Sequence, residues 1–294
     1  MHSNLPSGIN QQWLASEAGP AIEVLVIKNS WCDAVIACQG AQVLHYQPKQ
    51  KLPILWLSDT NQFQRGKAIR GGIPLCFPWF GKHPHQPDLP SHGFARQMEW
   101  QLQQASENIQ GHHLSFVLKD NAATRLLWDY GFEATMDIHL GNQLEINFQV
   151  HNTDCQPFEF GFAWHSYFAI QDINQTQVHG LEQLAFLDQL SPDGGYSHVE
   201  TQPIRFSSET DRIYQQAGGH YEISSGQESP IYIDAPECSS VVVWNPWAEK
   251  AHRLGDIPGD SWKHMLCVEC GKLDKANVLL EPGQTVSYQL VLSR

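Results

Sequence analysis

The sequence predicts an all-β fold, and three observations carry that prediction. Apolar residues recur at every second position in several separate stretches. Segments of helical character are few and short. The chain also holds ten Trp, eight Tyr and 13 Phe in 294 residues, a load that suits β-structure or a carbohydrate-stacking cleft.

Taken in order, Ile22, Val24 and Val26 alternate with partly polar neighbours and read as a half-buried strand. Leu114, Phe116 and Leu118 repeat the pattern. So do Leu144, Ile146, Phe148 and Val150, set against Glu145, Asn147 and Gln149. Val286, Tyr288, Leu290 and Leu292 follow the turn Glu281-Pro282-Gly283-Gln284. Val241 to Trp244 is a continuous apolar run, as expected for a strand covered on both faces. Asn10 to Ala18 is predicted as a short helix and Ser208 to Tyr214 as one helical turn. No Gly/Ser linker, charge block or internal repeat divides the chain. Residues 1–294 therefore read as one large domain of two packed antiparallel sheets.

Composition narrows the function classes. Hydrophobic residues make up 41% and charged residues 17%, which supports a packed core. The formal net charge of −13 repels nucleic acid and anionic membrane. No apolar run approaches the ~18 residues of a membrane span, and the start has no secretory pattern. Seven cysteines without framework spacing predict free thiols in a reducing compartment. A cytoplasmic protein is expected, in which the sequon Asn174-Gln175-Thr176 has no meaning. No exposed apolar repeat suggests an interface, so a monomer is expected.

The segment from Arg70 to Arg96 is the most unusual part of the chain. It is a non-periodic run rich in Gly and Pro, with an arginine at each end and His83, His85 and His92 inside it. So much Gly and Pro is more than a connection needs and predicts a shaped wall that carries binding groups. Against a strongly acidic background, the two arginines suggest a local site for an anion.

Several residues invite a chemical reading beside a plain one. His165 in Phe162-Ala163-Trp164-His165-Ser166-Tyr167-Phe168 is either a hydrogen-bonded core histidine or an imidazole in a cleft, active near neutral pH. On a continuous strand it would share a face with Ala163 and Tyr167. Glu269, inside the apolar run Met265 to Gly271, is either a solvent-facing charge on an edge strand or a cleft carboxylate whose pKa burial raises. Asp211 either pairs locally or accepts sugar hydroxyls. Trp244 and Trp247 are either core or a stacking platform. Cys267 and Cys270 form a lone CxxC without the second pair or spaced histidines that zinc requires. Residues three apart on a strand face opposite ways, so the two thiols should not converge. His83, His85 and His92 lack a carboxylate or Cys at ligand spacing. No metal site is expected. Walker, dinucleotide and nucleophile-elbow motifs are absent, and Gly71-Gly72 lacks the context of a phosphate loop.

Taken together, the motifs resemble the hexose-6-phosphate mutarotases, the glucose-6-phosphate 1-epimerase branch of the galactose mutarotase-like proteins. The matching pieces are RGGIPLCFPWFG at 70–81, HGFAR at 92–96, WHSYF at 164–168, TDRIY at 210–214, NPW at 245–247 and CVECGK at 267–272. Their order matches that branch, and they span about two-thirds of the chain. The resemblance implies a β-supersandwich. It implies that His165 and Glu269 are the catalytic pair, and that Arg70 and Arg96 contact substrate. It further implies that Asp211 binds the sugar and that His92 lines the pocket. Ser91, where some members carry a longer polar residue, is implied as a further substrate contact.

The implied reaction interconverts the α and β anomers of a hexose 6-phosphate, chiefly glucose 6-phosphate, with Glu269 as base and His165 as acid. It needs no cofactor and no partner beyond the sugar phosphate. A carboxylate beside an imidazolium is the expected resting pair. An aldose 1-epimerase of unphosphorylated sugars is the nearest alternative. A non-catalytic sugar-phosphate binding module and a two-carboxylate glycoside hydrolase are more distant ones.

Overall fold

Every stretch of alternation named above forms a strand in the computed structural model, which describes residues 5–16, 19–83, 85–192 and 196–294. Leu144–Asn152 buries each second side chain along its whole length, as its sequence dictates. Gly111–Lys119 and Thr285–Ser293 carry the other two patterns. Ser240–Asn245 is buried at all its positions, as the continuous apolar run predicted.

Two large antiparallel sheets dominate. One has nine strands, in the order Ile204–Arg205, Thr176–His179, His220–Ser225, Ile231–Asp234, Thr285–Ser293, Leu144–Asn152, Phe132–Leu140, Gly111–Lys119 and Gln101–Asn108. The other has eight. Its path runs Tyr196–Val199, Ala185–Asp188, Thr210–Gln215, Ser240–Asn245, Met265–Lys272, Phe162–Trp164 and Leu75–Cys76, and Tyr167–Ala169 also pairs with Met265–Lys272. The sheets meet through aromatic side chains. Phe162 of the eight-stranded sheet packs on Phe148 and Tyr288 of the nine-stranded one, with ring centroids 5.2 and 4.5 Å apart. This is the β-supersandwich that the motifs implied. A four-stranded sheet, Ile9–Leu14, Ile22–Lys28, Cys32–Ala37 and Gln42–Pro48, lies at the N-terminal end.

The structure corrects three local expectations. Asn10 to Ala18 is not helical: Ile9–Leu14 is a strand paired in register with Ile22–Lys28, and Glu17 and Ala18 lie outside the described residues. Ser208 to Tyr214 is not a helical turn either. Thr210–Gln215 lies between Ala185–Asp188 and Ser240–Asn245. In both segments ladder pairing overrides a weak local propensity. Third, Ile22–Lys28 is covered on both faces. Leu25 and Ile27 join the main core, while Ile22 and Val24 join a small second cluster with Ala37, Leu44 and Ile69.

The Gly/Pro segment is woven into this frame. Ile73 bridges to Val43, Gly71 to Leu57 and Phe77 to Gly93, while Leu75–Cys76 pairs with Phe162–Trp164. At Gly72 (φ +64°) a Cβ would meet the Val43 carbonyl at 2.2 Å, and at Gly93 (φ +70°) the Phe77 carbonyl at 2.0 Å. Only glycine lets these backbones approach so closely.

Candidate active site

The eight-stranded sheet presents one face to a cleft of about 820 Å³. Register explains which side chains reach it. Asp211 pairs with Trp244, Trp244 with Cys267 and Cys267 with Tyr167, forming one row across four strands. Ile213, Val242 and Glu269 form the next row. Directly opposed residues in antiparallel strands share a face, so both rows point the same way.

His165 enters from a break in the sheet. The expected continuous strand is instead two short ones, Phe162–Trp164 and Tyr167–Ala169. Between them the Ser166 N–H donates to the Trp164 carbonyl and the His165 N–H to the Pro74 carbonyl. The Gly/Pro wall therefore holds the backbone of His165. Its ring stacks on Tyr167, with centroids 4.8 Å apart and planes 5° from parallel, and meets Trp244 edge-on.

His165 Nδ1 lies 3.2 Å from Glu269 Oε1. His165 Nδ1 and Glu269 Oε2 are both buried without a hydrogen-bond partner. Glu269 is 2% exposed and His165 7%, which excludes an edge-strand role for the glutamate. Burial, reinforced by Asp211, holds the Glu269 carboxyl well above the usual carboxylate range. Burial, with His92 and both arginines nearby, holds the His165 imidazole well below its usual value. Desolvation thus favours the neutral forms of both groups, not the carboxylate and imidazolium expected from sequence.

The other predicted residues surround this pair. His92 has φ +67° and faces His165, with ring centroids 5.6 Å apart. Its N–H donates to the Gly81 carbonyl. Burial and the charges of Arg96 and Arg70 bring its pKa down to about 3, so it is neutral. Arg70 donates through Nε to Asp256 Oδ2 at 2.9 Å and through Nη1 to the Tyr167 hydroxyl at 2.8 Å. Arg96 donates from Nη2 to the Ser91 carbonyl, while its Nε is buried without a partner. Ser91 thus fixes an arginine through its backbone, and its side-chain position is exposed. Asp211 is raised to about 6, first by burial, with Lys250 opposing the shift.

All seven predicted site residues, Arg70, Ser91, His92, Arg96, His165, Asp211 and Glu269, line the one cleft. Tyr167, Asp256, Lys82 and Lys250 also line it, and of these Lys250 and Asp256 carried no signal in the sequence. Lys250 comes from the helix Trp247–Leu254, and Asp256 follows that helix. The two tryptophans separate: Trp244 lines the cleft, while Trp247 packs on Trp262 at 4.6 Å. Asn245 brackets them by donating to the Trp262 and Met265 carbonyls and accepting from the Trp247 N–H. His83 and His85 lie in an adjoining groove with Trp79, Trp128 and Tyr130, not in the cleft. Pro84 between them lies outside the described residues.

Comparisons with known proteins agree with this architecture. The aldose 1-epimerase family profile matches residues 23–293. A protein of Escherichia coli named "Putative glucose-6-phosphate 1-epimerase" is 33% identical over 250 residues, covering 84% of this chain and 82% of its own. One of the same name from Cenchrus ciliaris is 32% identical over 272 residues, covering 89% and 81%. A solved structure described as a "putative mutarotase" from Salmonella typhimurium superimposes with a TM-score of 0.90 at 30% identity, covering 99% of this chain and 94% of that one. With the match running through every strand that builds the cleft, the chain belongs to the aldose 1-epimerase family.

Proposed function

We propose that the protein interconverts the α and β anomers of a hexose 6-phosphate, with glucose 6-phosphate as the main substrate. The observation that carries the anomerase reading is the buried contact between His165 and Glu269 at the floor of the cleft. The charge of the cleft supports a phosphorylated substrate. Arg70, Lys82, Arg96 and Lys250 line it beside only Asp211, Asp256 and Glu269, in a chain of net charge −13. The names of the relatives point the same way.

In the proposed reaction Glu269 takes the proton of the C1 hydroxyl while His165 protonates the ring oxygen. The C1–O5 bond breaks and a C1 carbonyl forms. Rotation about C1–C2 presents the other carbonyl face, and closure returns both protons. The pair holds one proton before ring opening and, after it, one on Glu269 with His165 neutral. Opening therefore converts an ionised buried pair into the neutral pair that desolvation favours. The sugar's own oxygens supply the hydrogen bonds that His165 Nδ1 and Glu269 Oε2 lack within the protein.

Arg96 and Arg70 would hold the phosphate, with Asp211 and His92 on the sugar hydroxyls. Under this reading the chain works as one domain and as a monomer, without cofactor. Its location is the cytoplasm, which its seven free cysteines fit. No helix among the described residues is long and apolar enough to cross a membrane.

Polarimetry decides between substrates. The approach of pure α-glucose 6-phosphate to its anomeric equilibrium should be strongly accelerated, and that of free α-glucose far less. Equal acceleration of both would favour an aldose 1-epimerase of unphosphorylated sugars.

A further inference from the structure

Cys267 is a third ionisable side chain at the catalytic pair, and the proposed reaction gives it no task. It precedes Glu269 by two residues on one strand, so both leave the same side of the sheet. Tyr167 pairs opposite it and brings His165 alongside. One ligand atom from each of His165, Cys267 and Glu269 lies within 4.8 Å of the other two, and all three residues are buried. His165 Nδ1 and Glu269 Oε2 are moreover buried without hydrogen-bond partners, which is costly at such depth. Nitrogen, sulfur and oxygen donors that converge in this way make a donor set for zinc.

We propose that His165, Cys267 and Glu269 form a binding site for a thiophilic divalent cation such as Zn²⁺, and that its occupancy blocks the catalytic pair. Zinc takes imidazole, thiolate and carboxylate ligands at ~2.0–2.3 Å in a tetrahedron, whose edges are roughly 3.3–3.8 Å at those bond lengths. The His165–Glu269 separation of 3.2 Å already approaches that edge. On binding, the Cys267 S–H bond breaks as the Zn–S bond forms, and its proton leaves to solvent. A proton on Glu269 leaves in the same way. Thiolate and carboxylate then balance the two positive charges of the ion, so no net charge is buried.

The fourth ligand position opens toward the cleft, where the sugar would sit. Both groups that exchange protons with the sugar are tied to the ion, so the effect is inhibition competitive with sugar phosphate. Mg²⁺ and Ca²⁺ favour all-oxygen sites and should not compete. The CxxC spacing plays no part, because Cys270 lies on the opposite face of its strand. Among the described residues, Glu23, Cys38 and Glu99 also come together. That group has no imidazole and lies outside the cleft, so it serves as a control.

The test uses the full-length protein. Titration with Co²⁺ should produce a thiolate-to-cobalt charge-transfer absorption that Zn²⁺ displaces and a chelator removes. Cys267→Ala and Cys267→Ser should each lose the band, and Cys38→Ala should keep it. Zn²⁺ should inhibit glucose 6-phosphate anomerisation in the wild type. Loss of even an outer-shell partner costs ~10–100-fold in metal affinity, so Cys267→Ala, with basal rate retained, should need ~100-fold more zinc. No band, or a band that survives both Cys267 variants, would overturn the site. Zinc-insensitive anomerisation in a wild type that shows the band would overturn the inhibitory role. Inhibition rests on the anomerase reading, but the cobalt band does not, so the two fail separately.

Discussion

Tyr167 lies flat against His165 and accepts a hydrogen bond from Arg70 through its hydroxyl. One side chain thus sets the plane of the proposed acid and the position of a proposed phosphate-binding arginine. Tyr167→Phe keeps the stack and removes the tether. A hydrogen bond to a charged group is worth ~1.5–3 kcal/mol. KM for glucose 6-phosphate should therefore rise about tenfold, with kcat little changed. Tyr167→Leu removes the stack as well and should also lower kcat. Steady-state kinetics on the two variants separate the effects, and a kcat loss in Tyr167→Phe would contradict this division.

Glu269→Gln should lower the anomerisation rate by ~10²–10⁴-fold while calorimetry still detects bound glucose 6-phosphate. His165→Gln should have a similar effect, and the double variant should be little worse than either, because the two groups act as a unit. Full activity in Glu269→Gln would end the acid–base assignment. The same variant should unfold no more easily than the wild type at pH 7, since it removes a carboxyl that burial disfavours.

Arg96→Ala should act mainly on binding of the phosphorylated sugar. The loss of charge-assisted hydrogen bonds predicts a KM increase of roughly 10–100-fold, with the slower turnover of free glucose left as it was. Parallel loss on both sugars would mean that Arg96 supports the fold of the cleft and does not read the phosphate.

Asp211 gives a pH-dependent term in stability. Its folded pKa is raised to about 6, above its usual carboxylate value. The folded state therefore binds more protons than the unfolded state between those values, and stability falls as pH rises through that window. Below the ordinary carboxylate range the term vanishes; above about pH 6 it is fully present. Its upper bound is ~3 kcal/mol, reduced by water in the cleft. Urea unfolding of wild type and Asp211→Asn across pH 4–7 should show the variant gaining relative stability as pH rises. A constant difference would refute the assignment.

Gly93→Ala should destabilise the protein by about 3 kcal/mol or more. A Cβ there would lie 2.0 Å from the Phe77 carbonyl oxygen, on a backbone with φ +70°. Gly259, with a positive φ but nothing near its Cβ, is the comparison site. Gly259→Ala should cost only ~1 kcal/mol. Thermal unfolding of both variants tests the contrast.

Much of this was legible in the sequence, and the gaps have physical causes. Strands with one dry face announce themselves by alternation, as Leu144–Asn152 does. Ile9–Leu14 does not, because five of its six side chains remain partly or fully exposed at the edge of the small sheet. Its strand character comes from pairing with Ile22–Lys28. Six of the seven predicted site residues were readable because each stands in a motif, and Ser91 directly precedes one. Asp256 stands in none and meets Arg70 only across 186 positions of chain. Cys267 was visible as half of a CxxC, but its nearness to His165 depends on how two strands align.

That alignment has a practical reach. Glu269, Trp244 and Asp211 arrive in the cleft by cross-strand register alone. A slip of one residue in Met265–Lys272 would turn Val268 and Cys270 toward the cleft and bury Glu269 on the far side of the sheet. No partly active intermediate lies between the two alignments. Catalytic turnover is therefore a digital gauge of correct β-pairing, and the activity recovered during refolding counts the molecules whose central strands have locked into place.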